Sequence, residues 1–309
     1  MKVATVTLNP AVDQRVRVDN FRQSTVNRGQ SMHIEASGKG VNVASSLANY
    51  GHEVAVTGYL GQENAEIFEQ FFAARHIDNH FVRIPGLTRT NIKVVDEVNQ
   101  QTTDINMPGQ APPLEAMSTL LGTIEQLFAS CDWFVLASSL PPGVPTTIYA
   151  TIITQLKQYG KRVVLDTSGD ALREGVQAGP SIVKPNLEEL QQLIGHPLTS
   201  EAAIEQAARQ LLDEGIQLIV VSMGERGALF VDQERTLITI PPVVAAKNTA
   251  GAGDAMVAGL ISGQLQGLSL ADCARLATAF ATGAITRIGF DLPTRDTLQM
   301  YFHQVSIRT

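Results

Sequence analysis

Short, almost entirely apolar segments alternate along the chain with longer amphipathic ones, and this alternation constrains the fold more than any other feature. The apolar segments predict strands at residues 3–8, 54–59, 133–137, 163–166, 182–184 and 218–222. Apolar residues at helical spacing predict helices at residues 41–50, 65–75, 114–130, 146–159, 187–194, 202–214, 255–264 and 270–287. Strands this apolar are buried on both faces, so the pattern predicts a parallel sheet between two layers of helices.

Four further segments do not follow this pattern, because polar and apolar residues alternate along them. They lie at residues 14–18, 31–35, 91–96 and 102–106, and the alternation predicts half-exposed antiparallel strands. We expect them to join into a small sheet, contributed by about residues 13–36 and 88–107, that stands over a cleft as a lid. An apolar face on this lid is a candidate dimer surface, and its residues would be Val16, Val18, Met32, Ile34, Ile92 and Val94.

Composition narrows the possible classes of function. The 309 residues are 44% hydrophobic and carry a net charge of −7, which favours a soluble protein with an ample core and argues against a nucleic-acid surface. No apolar run approaches the roughly 20 residues that cross a membrane, and no leader sequence precedes the first strand. Cys131 and Cys273 lie in apolar surroundings, which predicts free buried thiols. We expect one cytoplasmic domain over residues 1–309, with no nucleic-acid or membrane partner.

A loop of small residues runs into a predicted helix at residues 248–260, Asn-Thr-Ala-Gly-Ala-Gly-Asp-Ala-Met-Val-Ala-Gly-Leu. Backbone N–H groups at such a junction bind anions, and glycines let a phosphate approach them closely. Asp254 would repel the anion, unless it takes a proton from an attacking hydroxyl while the amides hold the phosphoryl group being transferred. The alternative is an aspartate that caps the helix after a glycine turn.

Other polar turns follow predicted strands, where open parallel sheets bind their ligands. Asp13 can accept hydrogen bonds from sugar hydroxyls, and Arg89 can grip a phosphate with Lys93 adding charge. In residues 38–42 glycines flank Lys39 before a helix, so the backbone can approach a ligand there. A turn aspartate, charges on a solvated strand and a plain helix entry are the respective alternatives.

Two later turns are candidates for binding a nucleotide. Asn186 and Glu189 lie three apart on one helical face, where they can act on Mg²⁺ through its waters or simply cap the helix. Residues 221–228 form a turn with two glycines three apart, which either presents amides to phosphates or is a plain β-turn. The six histidines show no metal spacing, and no glycine-rich dinucleotide fingerprint follows the first strand.

Taken together and in this order, the motifs resemble the PfkB branch of the ribokinase-like sugar kinases. The subgroup they resemble acts on phosphosugars and holds 1-phosphofructokinases, tagatose-6-phosphate kinases and the minor 6-phosphofructokinase. The resemblance rests on Thr-Leu-Asn-Pro-Ala-Val-Asp at 7–13, Gly-Lys-Gly-Val-Asn at 38–42, Thr-Arg-Thr-Asn at 88–91, Leu-Pro-Pro-Gly at 140–143, Lys-Pro-Asn at 184–186 and Gly-Ala-Gly-Asp at 251–254. It implies a Rossmann-type three-layer α/β sandwich with a small antiparallel β-sheet lid, and a homodimer formed through that lid.

The resemblance also implies a role for each candidate residue. Asp254 would be the catalytic base, and the anion hole would comprise Gly251, Ala252 and Gly253. Substrate would be bound by Asp13, Gly38, Lys39, Asn42, Arg89 and Ser139. ATP and Mg²⁺ would be handled by Lys184, Asn186, Glu189, Ser222, Gly224 and Gly227, with Glu189 acting on Mg²⁺ through water. Carbonyl groups of Asn248 and Ala250 would line a K⁺ site, although Arg287 stands where a relative has Asn.

The implied reaction is ATP-dependent phosphorylation of fructose 1-phosphate to fructose 1,6-bisphosphate. Tagatose-6-phosphate or fructose-6-phosphate kinase activity is the alternative, and a sugar-phosphate-binding protein that transfers nothing is a third hypothesis. One departure from the family pattern is Ala137-Ser138-Ser139 in place of Ser-Gly-Ser, from which we expect Ser138 to narrow the substrate pocket.

Overall fold

The computed structural model describes residues 1–247, 249–287, 289 and 291–309. The strands are β1 (Lys2–Thr7), β2 (Ala11–Arg17), β3 (Ser31–Ser37), β4 (Val54–Gly61), β5 (Asp78–Asn79), β6 (Val82–Ile84), β7 (Thr90–Asp96), β8 (Gln101–Ile105), β9 (Cys131–Ala137), β10 (Arg162–Asp166), β11 (Ile182–Val183), β12 (Leu218–Ser222), β13 (Ala228–Val231), β14 (Thr236–Ile240) and β15 (Ser306–Arg308). The helices are α1 (Lys39–Asn49), α2 (Ala65–Ala74), α3 (Leu114–Gln126), α4 (Ile148–Gln158), α5 (Gly169–Gln177), α6 (Leu187–Ile194), α7 (Glu201–Leu212), α8 (Ala252–Leu265), α9 (Leu270–Ile285) and α10 (Arg295–Gln304).

The main sheet runs in the order β15-β14-β13-β12-β11-β10-β9-β1-β4-β5, and β6 also pairs with β4. The six predicted strands are β1, β4, β9, β10, β11 and β12, and every pairing among them is parallel. Beyond β12 the sheet continues through antiparallel pairs to β15. The predicted parallel sheet is therefore confirmed, and it is longer than predicted by an antiparallel extension.

Two apolar cores cover the two faces of this sheet. Neighbouring residues on a strand point to opposite faces, so Phe134 packs with α3 to α7 and Trp133 with α1, α2, α8, α9 and α10. Representative helix residues of the first core are Leu120, Ile152, Leu172, Leu190 and Ala208, and those of the second are Val43, Phe68, Leu260, Phe280 and Leu298. The three-layer sandwich is thereby confirmed.

The four alternating segments form a second sheet in the order β3-β2-β7-β8. The outer pairs are antiparallel as predicted, but the central pair β2 and β7 is parallel. The reason is topological. Strand β2 follows β1 and β7 follows β6, and both β1 and β6 are parallel to β4, so the chain enters the lid in the same direction twice. The lid is therefore a mixed sheet rather than a purely antiparallel one.

The outer face of the lid is apolar and largely exposed, with Met32, Ile34 and Ile92 open to solvent. Val18 was predicted on this face but is buried, and its N–H donates to the Val95 carbonyl at 3.0 Å. A homodimer through this face stays a prediction.

Two compositional predictions can also be compared with the structure. Cys131 and Cys273 are both free and buried, as predicted. Among the helices of the described residues, none combines the length and apolar character that crossing a bilayer requires. The cytoplasmic location stays a prediction.

Candidate active site

Asp254 lies in the first turn of α8, directly after the small-residue loop. Gly251 caps this helix in the left-handed conformation, with φ of 81°, so glycine suits that position. The first N–H groups of a helix have no carbonyl partner within it and carry the positive end of its dipole. Gly253 lies in this turn, and a Cβ added there would be 3.2 Å from Lys184 Nζ. The turn therefore combines amides, a nearby cation and a carboxylate.

The Asp254 carboxylate is buried, and its side-chain hydrogen bond comes from a neutral group. Asn42 Nδ2 donates to Asp254 Oδ2 at 2.7 Å. Burial raises the pKa of Asp254 to about 6, and the neighbouring Asp166 carboxylate adds to the rise, while Lys39, Asn42 and Lys184 oppose it. A carboxylate with a pKa near neutrality suits proton transfer.

Asp166 is a central residue of the site that the sequence analysis missed. It ends β10, is 1% exposed, and joins two candidate lysines: Lys39 Nζ lies 2.7 Å from its Oδ1 and Lys184 Nζ 3.3 Å from its Oδ2. Burial opposes its ionisation, but Lys184 and Lys39 together lower the pKa of Asp166 below its ordinary value. The signal was available, since Asp166 is an acid at the carboxyl end of a buried strand.

Close packing of α1 against β1 brings Lys39 and Asn42 to this centre. Gly38 has φ of 132°, and a Cβ there would lie 3.0 Å from Thr7 Cγ2. A Cβ on Gly40 would lie 2.3 Å from Thr7 Oγ1. Side chains at either position would therefore push α1 away from the sheet and separate Asn42 from Asp254. The predicted role of Gly38 next to the substrate is compatible with this packing role.

Asp13 lies at the base of the lid, buried between two strands. Asn91 Nδ2 donates to its Oδ1 at 3.1 Å, and Lys93 Nζ lies 2.7 Å from its Oδ2. Asn91 is its direct register partner on β7. Asp13 is thereby held where the two strands leave the main domain.

Arg89 and Ser139 lie together at the rim of the site. Arg89 donates from Nε to the Pro10 carbonyl, from Nη1 to the Met107 carbonyl and from Nη2 to the Asn9 carbonyl, at 3.2, 2.6 and 2.9 Å. Asn9 Nδ2 also donates to Ser139 Oγ at 3.2 Å. Arg89 therefore joins the β1–β2 connection to the segment after β8. Asn9, which the sequence analysis left out of the site, contacts both Arg89 and Ser139.

The expectation for Ser138 is wrong. Its side chain is buried, and its Oγ accepts a hydrogen bond from the Asn9 N–H at 3.0 Å and donates to the Ser139 carbonyl at 2.8 Å. The hydroxyl therefore stabilises the turn from inside and does not narrow a pocket.

Asn186 and Glu189 form a capping box at the start of α6. Asn186 Oδ1 accepts from the Glu189 N–H and Glu189 Oε2 accepts from the Asn186 N–H, both at 2.8 Å. The capping alternative is thus confirmed, and it occupies one of the two carboxylate oxygens of Glu189. Lys184 precedes this turn and its Nζ lies 3.3 Å from Asp166 Oδ2, which links the start of α6 to the carboxyl end of β10.

The turn after β12 lies beside that capping box, because the Ser222 N–H donates to the Pro185 carbonyl at 3.1 Å. Gly224 has φ of 63° and open space around it. Gly227 differs: a Cβ there would lie 1.7 Å from the Thr239 carbonyl oxygen. Gly227 therefore serves the packing of this turn, whereas the nucleotide contacts predicted for Ser222 and Gly224 stay predictions.

The predicted metal positions are only partly described. Asn248 lies outside the described residues, and Ala250 comes just before the helix cap Gly251. Within residues 1–247, 249–287, 289 and 291–309, no three His, Cys, Asp or Glu side chains cluster in a way that would hold a metal ion by themselves. Any Mg²⁺ here would need ligands from a bound phosphate.

A cleft of about 1410 Å³ separates the inner face of the lid from α2. Its lining includes Arg15, Glu35 and Lys93 on the lid and Phe71 and Arg75 on α2. Asp254 is not in this lining. Lys93 borders the cleft and its Nζ lies 2.7 Å from Asp13 Oδ2, so the cleft reaches the base of the lid.

A family model described as pfkB family carbohydrate kinase matches residues 5–297. The chain belongs to the PfkB family. Proteins similar to this PfkB kinase include the 1-phosphofructokinase of Rhodobacter capsulatus, 46% identical over 100% of this chain and 98% of the relative. The 1-phosphofructokinase of Xanthomonas campestris is 44% identical over 91% of this chain and 90% of the relative. Membership makes the chain a sugar phosphotransferase, as predicted.

Solved PfkB structures share the whole fold. Escherichia coli phosphofructokinase-2 in complex with substrates and products is 28% identical, with a TM-score of 0.93 over 98% of this chain and 99% of that one. A possible 1-phosphofructokinase from Thermotoga maritima is 25% identical, with a TM-score of 0.91 over 100% and 99% of the two chains. The predicted ribokinase-like fold is confirmed.

Proposed function

We propose that this PfkB kinase transfers the γ-phosphoryl group of ATP to the 6-hydroxyl of fructose 1-phosphate, producing fructose 1,6-bisphosphate and ADP. Relatives named 1-phosphofructokinase, from 34% to 46% identical over at least 91% of this chain, support this substrate. The observation that carries the proposal is the buried Asp254 carboxylate in the first turn of α8, within reach of Asn42 and beside two lysines.

In the proposed reaction the sugar hydroxyl attacks the γ-phosphorus as its proton passes to Asp254. The new bond joins the hydroxyl oxygen to phosphorus, and the bond to the β-phosphate oxygen breaks with its electron pair leaving on ADP. Asp254 is mostly ionised at pH 7 because its pKa is about 6, so it can accept the proton. The first-turn amides of α8, with Lys39 and Lys184, stabilise the charge on the phosphoryl group.

The remaining predicted residues take supporting roles in this proposal. On the substrate side Asp13 accepts hydrogen bonds from sugar hydroxyls, while Arg89 and Ser139 hold the rim that closes over the sugar. On the nucleotide side Ser222 and Gly224 line the phosphates next to the capping box. Contact between two lids through their apolar outer faces would make a homodimer, and E. coli phosphofructokinase-2 has a tetrameric inhibited form.

The residues present fit a magnesium ion that arrives with the nucleotide. Glu189 has one carboxylate oxygen outside the capping box, and one or two carboxylates suit an ion that keeps most of its waters and binds substrate phosphates. Such an ion would neutralise phosphate charge. A K⁺ site at the Ala250 carbonyl is also part of the proposal, and a potassium complex of E. coli phosphofructokinase-2 supports testing it.

A coupled ADP-release assay with fructose 1-phosphate, fructose 6-phosphate and tagatose 6-phosphate tests the proposal. We expect kcat/KM for fructose 1-phosphate to exceed the other two by at least about tenfold, since a tenfold preference needs only about 1.4 kcal/mol of transition-state discrimination. A larger kcat/KM for either other sugar would reassign the substrate. Absence of ADP release with every sugar, in the presence of Mg²⁺ and K⁺, would favour the binding-protein hypothesis.

A further inference from the structure

The backbone of Ser138 is fixed from inside the protein by two buried hydroxyl groups. Ser138 follows β9, and its carbonyl accepts hydrogen bonds from Thr167 Oγ1 at 2.7 Å and from Tyr149 Oη at 3.1 Å. Thr167 follows β10 and Tyr149 lies on α4. All three residues are buried. A carbonyl oxygen has two lone pairs, and both are used here, so the Ser138 peptide has little freedom to move.

The side chain of Ser138 connects this fixed point to the neighbouring strand. Asn9 lies just beyond β1, which pairs with β9, and its N–H donates to Ser138 Oγ at 3.0 Å. Ser138 Oγ in turn donates to the Ser139 carbonyl at 2.8 Å. Asn9 is 5% exposed, so without this hydroxyl its N–H would be a buried donor that has lost its acceptor. Such a group costs free energy comparable to a lost hydrogen bond, and the backbone shifts to avoid it.

Asn9 contacts both Arg89 and Ser139, which together form the sugar rim. The Asn9 carbonyl accepts from Arg89 Nη2 at 2.9 Å, and Asn9 Nδ2 donates to Ser139 Oγ at 3.2 Å. Asn9 Nδ2 also donates to the Pro108 carbonyl at 3.1 Å, and a Cβ added to Gly109 would lie 2.4 Å from Asn9 Oδ1. The position of Asn9 therefore determines where the sugar rim and the segment after β8 lie.

We propose that Ser138 is a positioning residue for the sugar phosphate, because its hydroxyl fixes the Asn9 peptide and, through Asn9, the sugar rim. This inference rests on the proposed function. A rim that is already in place before the sugar arrives loses less conformational freedom on binding, which strengthens binding. The family pattern has glycine where this chain has Ser138, so the hydroxyl is a feature that this chain adds to the pattern.

The catalytic centre has supports of its own. Asn42 Nδ2 donates to Asp254, and Lys39 Nζ pairs with Asp166, and neither contact includes Ser138. The residues predicted to handle ATP follow β11 and β12, which are two and three strands away from β9 in the sheet. Loss of the Ser138 hydroxyl should therefore weaken binding of the sugar and leave ATP binding and phosphoryl transfer nearly unchanged.

The test measures ADP release by Ser138→Ala and by the unmodified enzyme, with fructose 1-phosphate and ATP varied in turn. A typical intramolecular hydrogen bond changes an equilibrium constant by roughly 2- to 10-fold. We expect KM for fructose 1-phosphate to rise by about 3- to 10-fold, whereas kcat and KM for ATP change less than about twofold. Ser138→Gly also lacks the hydroxyl, so it should show the same rise, and it replaces Ser138→Ala if that variant does not fold.

Ser181→Ala is the matched control. Ser181 Oγ accepts a hydrogen bond from the Val163 N–H at 3.1 Å, so it is also a serine hydroxyl that binds a backbone N–H of a neighbouring strand. It lies just before β11, at the amino ends of the parallel strands and therefore opposite to the site. Both alanine variants should lower the urea midpoint of unfolding, but only Ser138→Ala should raise KM for fructose 1-phosphate.

Three results would overturn the inference. An unchanged KM for fructose 1-phosphate in Ser138→Ala, with a lower urea midpoint, would mean that the hydroxyl only stabilises the fold. A lower kcat at unchanged KM would place its effect at the catalytic centre. Equal rises of KM in Ser138→Ala and Ser181→Ala would reflect a general loosening of the sheet. If the unmodified enzyme does not phosphorylate fructose 1-phosphate, the proposed function fails; if it does and Ser138→Ala keeps its KM, only this inference fails.

Discussion

Neutralising Asp254 should lower activity and raise stability at the same time. The carboxyl group is 7% exposed, and burial together with Asp166 raises its pKa from 3.8 to about 6. The unfolded chain hydrates the ionised group, whereas the folded protein holds it in a buried site beside another carboxylate. Ionised Asp254 therefore opposes folding wherever the pH lies above its folded pKa.

The magnitude follows from the shift of about 2 pKa units, which corresponds to about 3 kcal/mol. Between pH 3.8 and about 6 the folded state binds more protons than the unfolded state, so stability falls as pH rises through this window. The penalty is fully present above pH 6 and absent below 3.8. Asp254→Asn removes it and still accepts a hydrogen bond from Asn42. We expect the variant to be more stable by about 3 kcal/mol at pH 8, with kcat at least about 100-fold lower.

Urea unfolding of the ligand-free protein between pH 5 and pH 8.5, at one protein concentration, measures the stability difference, and ADP release measures kcat. The gain in unfolding free energy should stay constant from pH 8.5 down to about pH 6 and should shrink as the pH is lowered further. A variant less stable than the unmodified protein at pH 8, or a difference that does not change with pH, would refute the electrostatic reasoning. A near-normal kcat for Asp254→Asn would show that Asp254 is not the catalytic base.

Asp96 in the lid offers a control, because its pKa is shifted in the opposite direction to that of Asp254. A hydrogen bond from the Asn99 side chain, with further ones from the backbone N–H groups of Asn99, Phe21 and Asn20, lowers its pKa to about 2. Its ionised form therefore stabilises the fold above pH 3.8, and this contribution is lost as the pH falls through about 2. Asp96→Asn should reduce stability at pH 8, whereas Asp254→Asn increases it.

Two further predictions concern Asp166 and the turn after β12. Asp166→Asn should lower kcat/KM, because Lys39 and Lys184 lose their shared carboxylate. It should also move the acid limb of the pH–rate profile to lower pH, because Asp166 helps to raise the pKa of Asp254. An acid limb at the same pH as in the unmodified enzyme would contradict this coupling. Gly227→Ala should reduce the free energy of unfolding by about 3 kcal/mol or more, since its Cβ would lie 1.7 Å from the Thr239 carbonyl. Gly224→Ala, which meets open space at φ of 63°, should cost only about 1 kcal/mol, and similar losses for the two variants in urea unfolding would contradict the steric argument.

The sequence predicted those elements in which consecutive residues are all buried. Strands such as β9 and β10 are buried on both faces and read as apolar runs. The helices α5 and α10 were missed. Helix α5 has only nine residues and its buried face includes the small residues Ala171 and Gly175, and α10 buries only Leu298 and Tyr301 among its described residues. Short helices of this kind form mainly through tertiary packing, which a local pattern does not contain.

The sequence predicted which residues lie near one another in the candidate site, but not which of them are in contact. Parallel strands bring the residues after their carboxyl ends to one edge, so Asp13, Lys39, Lys184 and Asp254 were expected near one another. Which of them pair depends on side-chain packing across long separations, such as the 127 residues between Lys39 and Asp166. The rim contacts of Arg89 were unpredictable for a related reason, because backbone carbonyls leave no trace in the sequence.

The different roles of the two buried aspartates follow from their direct partners. Asp166 ends β10 and Asp254 lies in the first turn of α8, and burial alone would raise the pKa of each. Two lysines contact Asp166, at 2.7 and 3.3 Å, and they hold it ionised. The direct side-chain hydrogen bond to Asp254 comes instead from the neutral amide of Asn42, so its pKa stays near neutrality. Neighbouring carboxylates whose surroundings shift their pKa values in opposite directions can take different roles. In the proposed mechanism Asp166 positions Lys39 and Lys184 for the phosphoryl group, and Asp254 accepts the proton.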